Sequence, residues 1–204
     1  MNSKKLTVAI LLGIVLVAFL FGMYNYQRRV QSSQEQRVTL QKGLLVRMHS
    51  PVFGPTNAPV TIVEFFDPAC ETCRAFYPIV KDLLRKYPND VRLVLRYAPF
   101  HPGSDQVAKL LEAAKRQDKY WPVLEMVLAE QPNWADHGTP NLELAYKAAE
   151  KAGLNLKQAL VDAATLAVDA VLKQDIEDLT SFEVTKTPTF FVNGKPLLEP
   201  SPDG

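Results

Sequence analysis

The chain has 204 residues, 47% of them hydrophobic, with 23 basic against 22 acidic side chains and a net charge of +1. That balance excludes the basic surface of a nucleic-acid binder and gives no sign of a strongly charged substrate. Two cysteines are too few for a disulfide framework, and the segment after the apolar N-terminal run is long enough to bury a core of its own.

Lys4 and Lys5 precede a charge-free run, Leu6 to Tyr24, reading LTVAILLGIVLVAFLFGMY. As a helix it would span about 28 Å, enough to cross the hydrocarbon core of a bilayer. No small-x-small cleavage site comes after it, so residues 6–24 are expected to be an uncleaved transmembrane signal-anchor, with residues 1–5 in the cytoplasm. Counting Lys4 and Lys5 against Arg28, Arg29, Arg37 and Lys42 would place the large C-terminal domain inside. The exporting habit of N-terminal anchors outweighs that count. The expected location is the inner or cytoplasmic membrane, crossed once, with the domain on the periplasmic or extracytoplasmic side. Residues 25–43 are polar and lack hydrophobic periodicity, which predicts a tether.

Leu44 to Met48 is a short apolar run expected to form an edge strand, and the prolines of Ser50 to Pro59 mark a loop. Val60 to Phe66 (VTIVEFF) is nearly continuous in β-prone residues, as a strand buried on both faces would be. A helix should begin near Cys70, burying Phe76, Val80, Leu83, Leu84 and Tyr87, with Pro78 kinking it. Val91, Leu93, Leu95 and Tyr97 then alternate with Arg92 and Arg96 in a second strand, which completes a parallel βαβ unit. Ser104 to Phe182 reads as helical, with apolar stripes Val107–Leu110–Leu111–Ala114 and Trp121–Leu124–Val127–Leu128, and with Asn141 and Asn155 as helix caps. Trp121 is expected in the core and Trp134 in a loop. Thr189 to Val192 is a short strand, Asn193-Gly194 a hairpin turn, and Pro196 to Leu198 the return.

Cys70-Glu71-Thr72-Cys73 stands where the first strand hands over to the helix. One helical turn brings the two sulfurs onto one face, and the helix N-terminus offers Cys70 unpaired N–H groups and a positive dipole end. Both favour thiolate, the attacking species in disulfide exchange, whereas Cys73 lies deeper and suits a resolving role. A bare CxxC is also compatible with half a zinc site, a copper loop or an inert disulfide. Zinc would want four ligands, and His49, His101 and His137 are scattered, so no metal site is expected. The alternative from another class is a copper(I)-binding or copper-delivery module using the two thiolates.

VTIVEFFDPACETC, a helical insertion, and VTKTPTFFVNG about 115 residues beyond the cysteines together resemble the DsbA-like branch of the thioredoxin superfamily, from about Leu44 to Leu198. The resemblance implies an α/β thioredoxin-like fold, with a helical insertion at about 104–182 between the βαβ and ββ halves of a domain spanning 44–204. It makes Pro188 the cis-proline beside the active-site disulfide and gives the backbone of Thr187 a substrate strand to bind. It also makes Glu64 a buried acid that exchanges a proton with Cys73. Protein thiol–disulfide exchange is then expected: formation, isomerisation or reduction of disulfides in exported proteins. A redox partner would restore the pair, and no cofactor beyond Cys70–Cys73 is needed. Strong oxidases of the family carry Pro-His between the cysteines, so Glu71 and Thr72, with Thr187 before the proline, point to a milder poise and a Cys70 pKa above that of DsbA. The chain stops at Gly204, where the family continues into one more helix, so that helix is expected to be missing.

Overall fold

The computed structural model describes residues 16, 19–28, 43–135 and 138–198. It divides into two compact units, Met1–Gly43 and Leu44–Gly204. Within the first, residues 19–28 are helical, Asn25 donates to the Phe21 carbonyl (2.8 Å), and the Arg28 guanidinium lies 4.9 Å from the Tyr24 ring centre. No helix among the described residues is long and apolar enough to cross a membrane. Residues 1–5, most of the expected anchor and tether, His137 and the chain end after Leu198 lie outside the described residues.

Among the described residues, the second unit is built on a mixed five-stranded sheet in the order β1-β3-β2-β4-β5. Its strands are β1 (Val52–Phe53), β2 (Val60–Phe66), β3 (Val91–Tyr97), β4 (Thr189–Val192) and β5 (Lys195–Pro196). β2 and β3 run parallel, as a helical crossover between them requires, and every other pairing is antiparallel. Asn193 (φ 50°) and Gly194 (φ 85°) take the left-handed conformations that a tight β4–β5 hairpin demands.

The helices of the domain are α1 (Glu71–Lys86), α2 (Ser104–Lys115), α3 (Tyr120–Ala129), α4 (Gln131–Trp134), α5 (Leu142–Lys151), α6 (Leu156–Ala163) and α7 (Leu166–Ser181). Asn141 and Asn155 cap α5 and α6 by accepting from Leu144 N–H and Gln158 N–H. The strand period of two sorts side chains between two cores. Ile62, Phe66, Val91, Leu93, Leu95 and Tyr97 join α1 through α6 in the larger one. Val63, Phe65, Val94 and Ala98 face Leu45, Leu179 and Val184 in the smaller one.

Three expectations need correction. Leu44 to Met48 is not an edge strand: residues 43–45 are helical, Leu45 is buried, and the Leu44 and Leu45 carbonyls accept from Arg96 Nη1 (2.8 and 3.0 Å) instead of a strand neighbour. The edge strand is Val52–Phe53, inside the segment expected to be a loop, and it pairs with Val94 and Leu93. On α1, Leu83 and Tyr87 are exposed while Cys73 and Tyr77 are buried, so the apolar face is turned toward the N-terminal half of the helix. Trp134, expected in a loop, is fully buried on α4 and donates to the Val127 carbonyl (2.9 Å), whereas Trp121 is half-buried against Phe53.

Arg96 departs further from its sequence context. Alternation along β3 suggests a solvent-facing arginine, yet Arg96 is fully buried because α7 brings two carboxylates over that face. Its Nε donates to Asp175 Oδ1 (2.8 Å) and its Nη2 to Asp178 Oδ2 (2.5 Å). Arg47 forks onto the same Asp178 (2.7 and 2.8 Å), and His49 Nε2 meets Asp175 at 2.7 Å. The network ties residues 44–49, β3 and α7 together.

Candidate active site

β2 ends at Phe66, and the turn Asp67-Pro68-Ala69-Cys70 delivers the chain into α1. Asp67 is fully buried and organises this turn. Its Oδ1 accepts from Ala69 N–H (2.9 Å) and from the Ser104 hydroxyl. Its Oδ2 accepts from Phe100 N–H (2.7 Å), His101 N–H (2.9 Å) and the His101 ring (2.7 Å). One carboxylate thereby fixes the strand–helix turn to the loop after β3.

Cys70 caps α1: it has extended backbone dihedrals, its carbonyl accepts from Arg74 N–H (3.1 Å), and its Sγ accepts from Cys73 N–H at 3.4 Å. Glu71 in the first turn and Arg85 and Lys86 in the last complement the helix dipole. Both sulfurs are present as thiols. The Cys70 pKa falls to about 5, chiefly through the hydrogen bond from the Cys73 thiol. Burial opposes the fall, and hydrogen bonding with Thr187 and with the Cys73 and Thr72 backbones assists it. Cys73, with no exposed surface, is pushed far above the ordinary thiol value by burial first, then by its bond to Cys70 and by the Glu64 and Cys70 charges. The two thiols are thus made opposite in acidity one helical turn apart.

The remaining residues singled out in the sequence fall around this pair or on its helix. The Thr187–Pro188 peptide is cis, Pro188 is buried, and the Cys70 thiol lies 3.3 Å from the Thr187 carbonyl oxygen. Sheet register explains the meeting, because β4 starts at Thr189 opposite Phe65, beside the end of β2 that leads to Cys70. Glu64 sits mid-strand between Leu95 and Phe190, on the same face as Ile62 and Phe66, and is 1% exposed. Its Oε2 has no hydrogen-bond partner among the described residues. Burial, and next the Cys70 charge, raise its pKa to about 8. Glu71 and Thr72 are exposed on the first turn of α1.

Several site residues escaped the sequence reading. Gln131 of α4 is 1% exposed and reaches the redox turn with its amide. Tyr77, one turn after Cys73, donates to Glu125 Oε1 (3.3 Å), which Lys81 approaches at 2.5 Å, and burial lifts the tyrosine well above its ordinary pKa. The DPxC turn was a legible sign of Asp67, since Asp before Pro favours side-chain-to-backbone bonding. Nothing local marks Gln131. His49 and His101 pair with the buried Asp175 and Asp67. Among the described residues, no three His, Cys, Asp or Glu side chains converge as ligands of a metal ion.

A mixed sheet that sets a cysteine pair at a helix start against a cis-proline loop is a thioredoxin-type arrangement. The profile of the family described as Thioredoxin matches residues 47–203. A thioredoxin-like oxidoreductase from Silicibacter pomeroyi DSS-3 is similar at TM-score 0.66 and 30% identity, over 76% of this chain and 86% of that one. BdbD of Bacillus subtilis (TM-score 0.64, 23% identity, 74% and 85%) and alpha-DsbA1 of Wolbachia pipientis (TM-score 0.65, 19% identity, 78% and 84%) share the fold. The chain belongs to the thioredoxin family. Curated relatives include proteins named Na(+)/H(+) antiporter NhaA. The one from Herminiimonas arsenicoxydans is 29% identical over 96% of this chain, and NhaA 3 of Salinispora tropica is 36% identical over 71%. The chain spans only 31% and 22% of those two proteins.

Proposed function

We propose that this chain is a protein thiol–disulfide oxidoreductase that exchanges disulfides with exported proteins through Cys70 and Cys73. The observation that carries the reading is the opposed acidity of the pair: a Cys70 pKa of about 5 beside a Cys73 thiol held protonated. At neutral pH Cys70 attacks a substrate disulfide as thiolate; one substrate sulfur bonds to it and the other leaves as thiolate. Cys73 then loses its proton, attacks Cys70 Sγ and displaces the second substrate thiolate, leaving a Cys70–Cys73 disulfide. Run backwards, the same steps oxidise a substrate dithiol. The base for Cys73 is Glu64. Forming the mixed disulfide removes the Cys70 negative charge, one cause of the raised Glu64 pKa, so the carboxyl ionises more readily when a base is needed.

Thr187 and Pro188 present the substrate strand, with the Thr187 carbonyl already within 3.3 Å of the attacking sulfur. Glu71 and Thr72 tune the pair. A Cys70 pKa near 5 lies between the roughly 3.5 of DsbA and the roughly 8.5 of a free thiol, which supports a milder poise than a dedicated oxidase. A separate redox protein restores the working state.

The test is trapping. Cys73→Ala in the full chain is expected to accumulate mixed disulfides with cellular proteins, and Cys70→Ala added to it should abolish them. If the single variant traps nothing while the wild-type chain binds copper(I) tightly, metal handling replaces this reading.

The anchor belongs to the same proposal, on the strength of the charge-free Leu6–Tyr24 run. The protein is expected to resist alkaline extraction from membranes, and protease added to spheroplasts should digest the domain. Protection of the domain in intact spheroplasts, with digestion only after lysis, would place it on the cytoplasmic side.

A further inference from the structure

Gln131 is a buried polar residue beside the cysteine pair whose burial the exchange mechanism leaves unexplained. It opens the four-residue α4 in the helical insertion, far from the cysteines in sequence, and is 1% exposed. Its Nε2 donates to the Pro68 carbonyl (2.7 Å) and the Cys70 carbonyl (3.0 Å), and its Oε1 accepts from Arg74 Nε (2.9 Å). These three bonds fix the amide orientation, because neither its donor nor its acceptor end can be exchanged without losing them. The residue is itself immobilised from behind. Trp134, at the other end of α4, is fully buried, donates to Val127 in α3, and accepts from Asn141 N–H through its carbonyl (2.8 Å).

The redox turn is therefore gripped from two sides. The Asp67 carboxylate holds the Ala69 N–H of the turn, and the Gln131 amide holds the Pro68 and Cys70 carbonyls from the helical insertion. Arg74 stands one helical turn beyond Cys70, so its side chain lies on the same flank of α1 as the nucleophile. The Gln131 bond holds its guanidinium there.

We propose that Gln131 is a positioning residue of the redox centre. It holds the Pro68–Cys70 turn and Arg74 so that the Cys70 sulfur keeps the hydrogen bonds that make it a thiolate. The inference rests on the thiol-exchange reading and adds a residue that acts through Cys70 without touching substrate. It also gives the helical insertion a direct part in setting the redox poise. Without the amide, the turn shifts, the contact of Cys70 with Cys73 N–H lengthens, and the thiolate loses part of its stabilisation. In the equilibrium of the protein disulfide and two glutathione thiols with the protein dithiol and one glutathione disulfide, less stable thiolate means more protein disulfide.

The test uses the full chain with Gln131→Met, which keeps length and removes the amide, Gln131→Asn, which keeps the amide but shortens its reach, and Arg74→Met. Thiolate absorbance against pH and the glutathione equilibrium are read on each, beside the thermal midpoint. Gln131→Met is expected to raise the Cys70 pKa by half a unit to one unit. It should shift the glutathione equilibrium three- to tenfold toward the disulfide, tenfold being about 30 mV in this two-electron couple. Gln131→Asn and Arg74→Met should move both quantities in the same direction by less. If Gln131→Met does not fold, the other two variants decide. A lowered thermal midpoint with unchanged pKa and equilibrium in every folded variant would make Gln131 a packing residue and overturn the proposal. Wild-type protein that fails to equilibrate with glutathione at all would instead overturn the exchange reading.

Discussion

The oxidised protein is expected to lose stability as pH rises above about 4.5, and Glu64→Gln to remove most of that loss. In the folded dithiol form Glu64 keeps its proton up to about pH 8, against 4.5 for an ordinary glutamate; burial is the larger cause and survives oxidation, so the oxidised form keeps a raised pKa short of that value. Between those values the unfolded state binds fewer protons than the folded one, so unfolding becomes easier with rising pH. The stabilising contribution is complete below pH 4.5 and is lost as pH climbs through the folded pKa. In the dithiol form a shift of this size in a side chain 1% exposed corresponds to a change on the order of 5 kcal/mol across the window, and in the oxidised form to less. Reduced protein should behave differently. Its Cys70 has a folded pKa of about 5 against 9.0 for an ordinary thiol, so that group adds stability as pH rises from 5 to 9, and the addition is lost as pH falls back through 5. The two slopes oppose each other in the reduced form, and only the Glu64 slope survives oxidation. Urea unfolding midpoints from pH 4 to pH 9, for both redox forms, measure this directly. A flat profile for the oxidised wild type, or one that Glu64→Gln leaves unchanged, would sink the assignment of a neutral buried Glu64.

Arg96→Met should destabilise the domain by about 3–5 kcal/mol at neutral pH, since removing one partner of a buried ion pair leaves the other uncompensated. Four groups lose their bond at once: Asp175, Asp178 and the carbonyls of Leu44 and Leu45. Asp178 keeps Arg47, and Asp175 keeps His49 and the Tyr97 N–H (2.8 Å), which is why the effect should not be larger. For a domain of this size the loss is a fall of roughly 10 °C in Tm. Adding Asp175→Asn should restore part of it, because that carboxylate loses its arginine with Arg96, whereas Asp178 still holds Arg47. A Tm within 2 °C of wild type for Arg96→Met alone would show that the network contributes nothing net.

Arg96 and Gln131 mark the boundary of what the sequence discloses. β2, α1, β3 and the β4–β5 hairpin were legible because each carries a local signal: an apolar run, an apolar face, an alternation, an Asn-Gly turn. Cys70, Cys73, Glu64 and the Thr187-Pro188 dipeptide were legible through spacing and through the family resemblance. Arg96 misled because alternation reports which residues share a face but not what covers that face; only α7, more than seventy residues on, supplies the carboxylates that bury it. Leu44 to Met48 misled because a strand needs a free neighbouring edge, and Arg96 takes its carbonyls instead. Gln131 was invisible for a similar reason: its three partners lie 57 to 63 residues away in sequence.

The pairing of β2 with β4 has a consequence for the making of the protein. Cys70 and its Thr187 partner are separated by 117 positions, and the strands that join them close around everything between. A ribosome adding about 5–20 residues per second needs roughly 6 to 23 s to cover that distance. Through that interval the nucleophile exists without its Thr187 contact, without β4 beside β2, and with Glu64 uncovered on its Phe190 side. The Cys73 bond that does most to acidify it lies within α1, but the share that Thr187 contributes is acquired late. A product of synthesis that stops before β4 carries both cysteines without the finished centre around them.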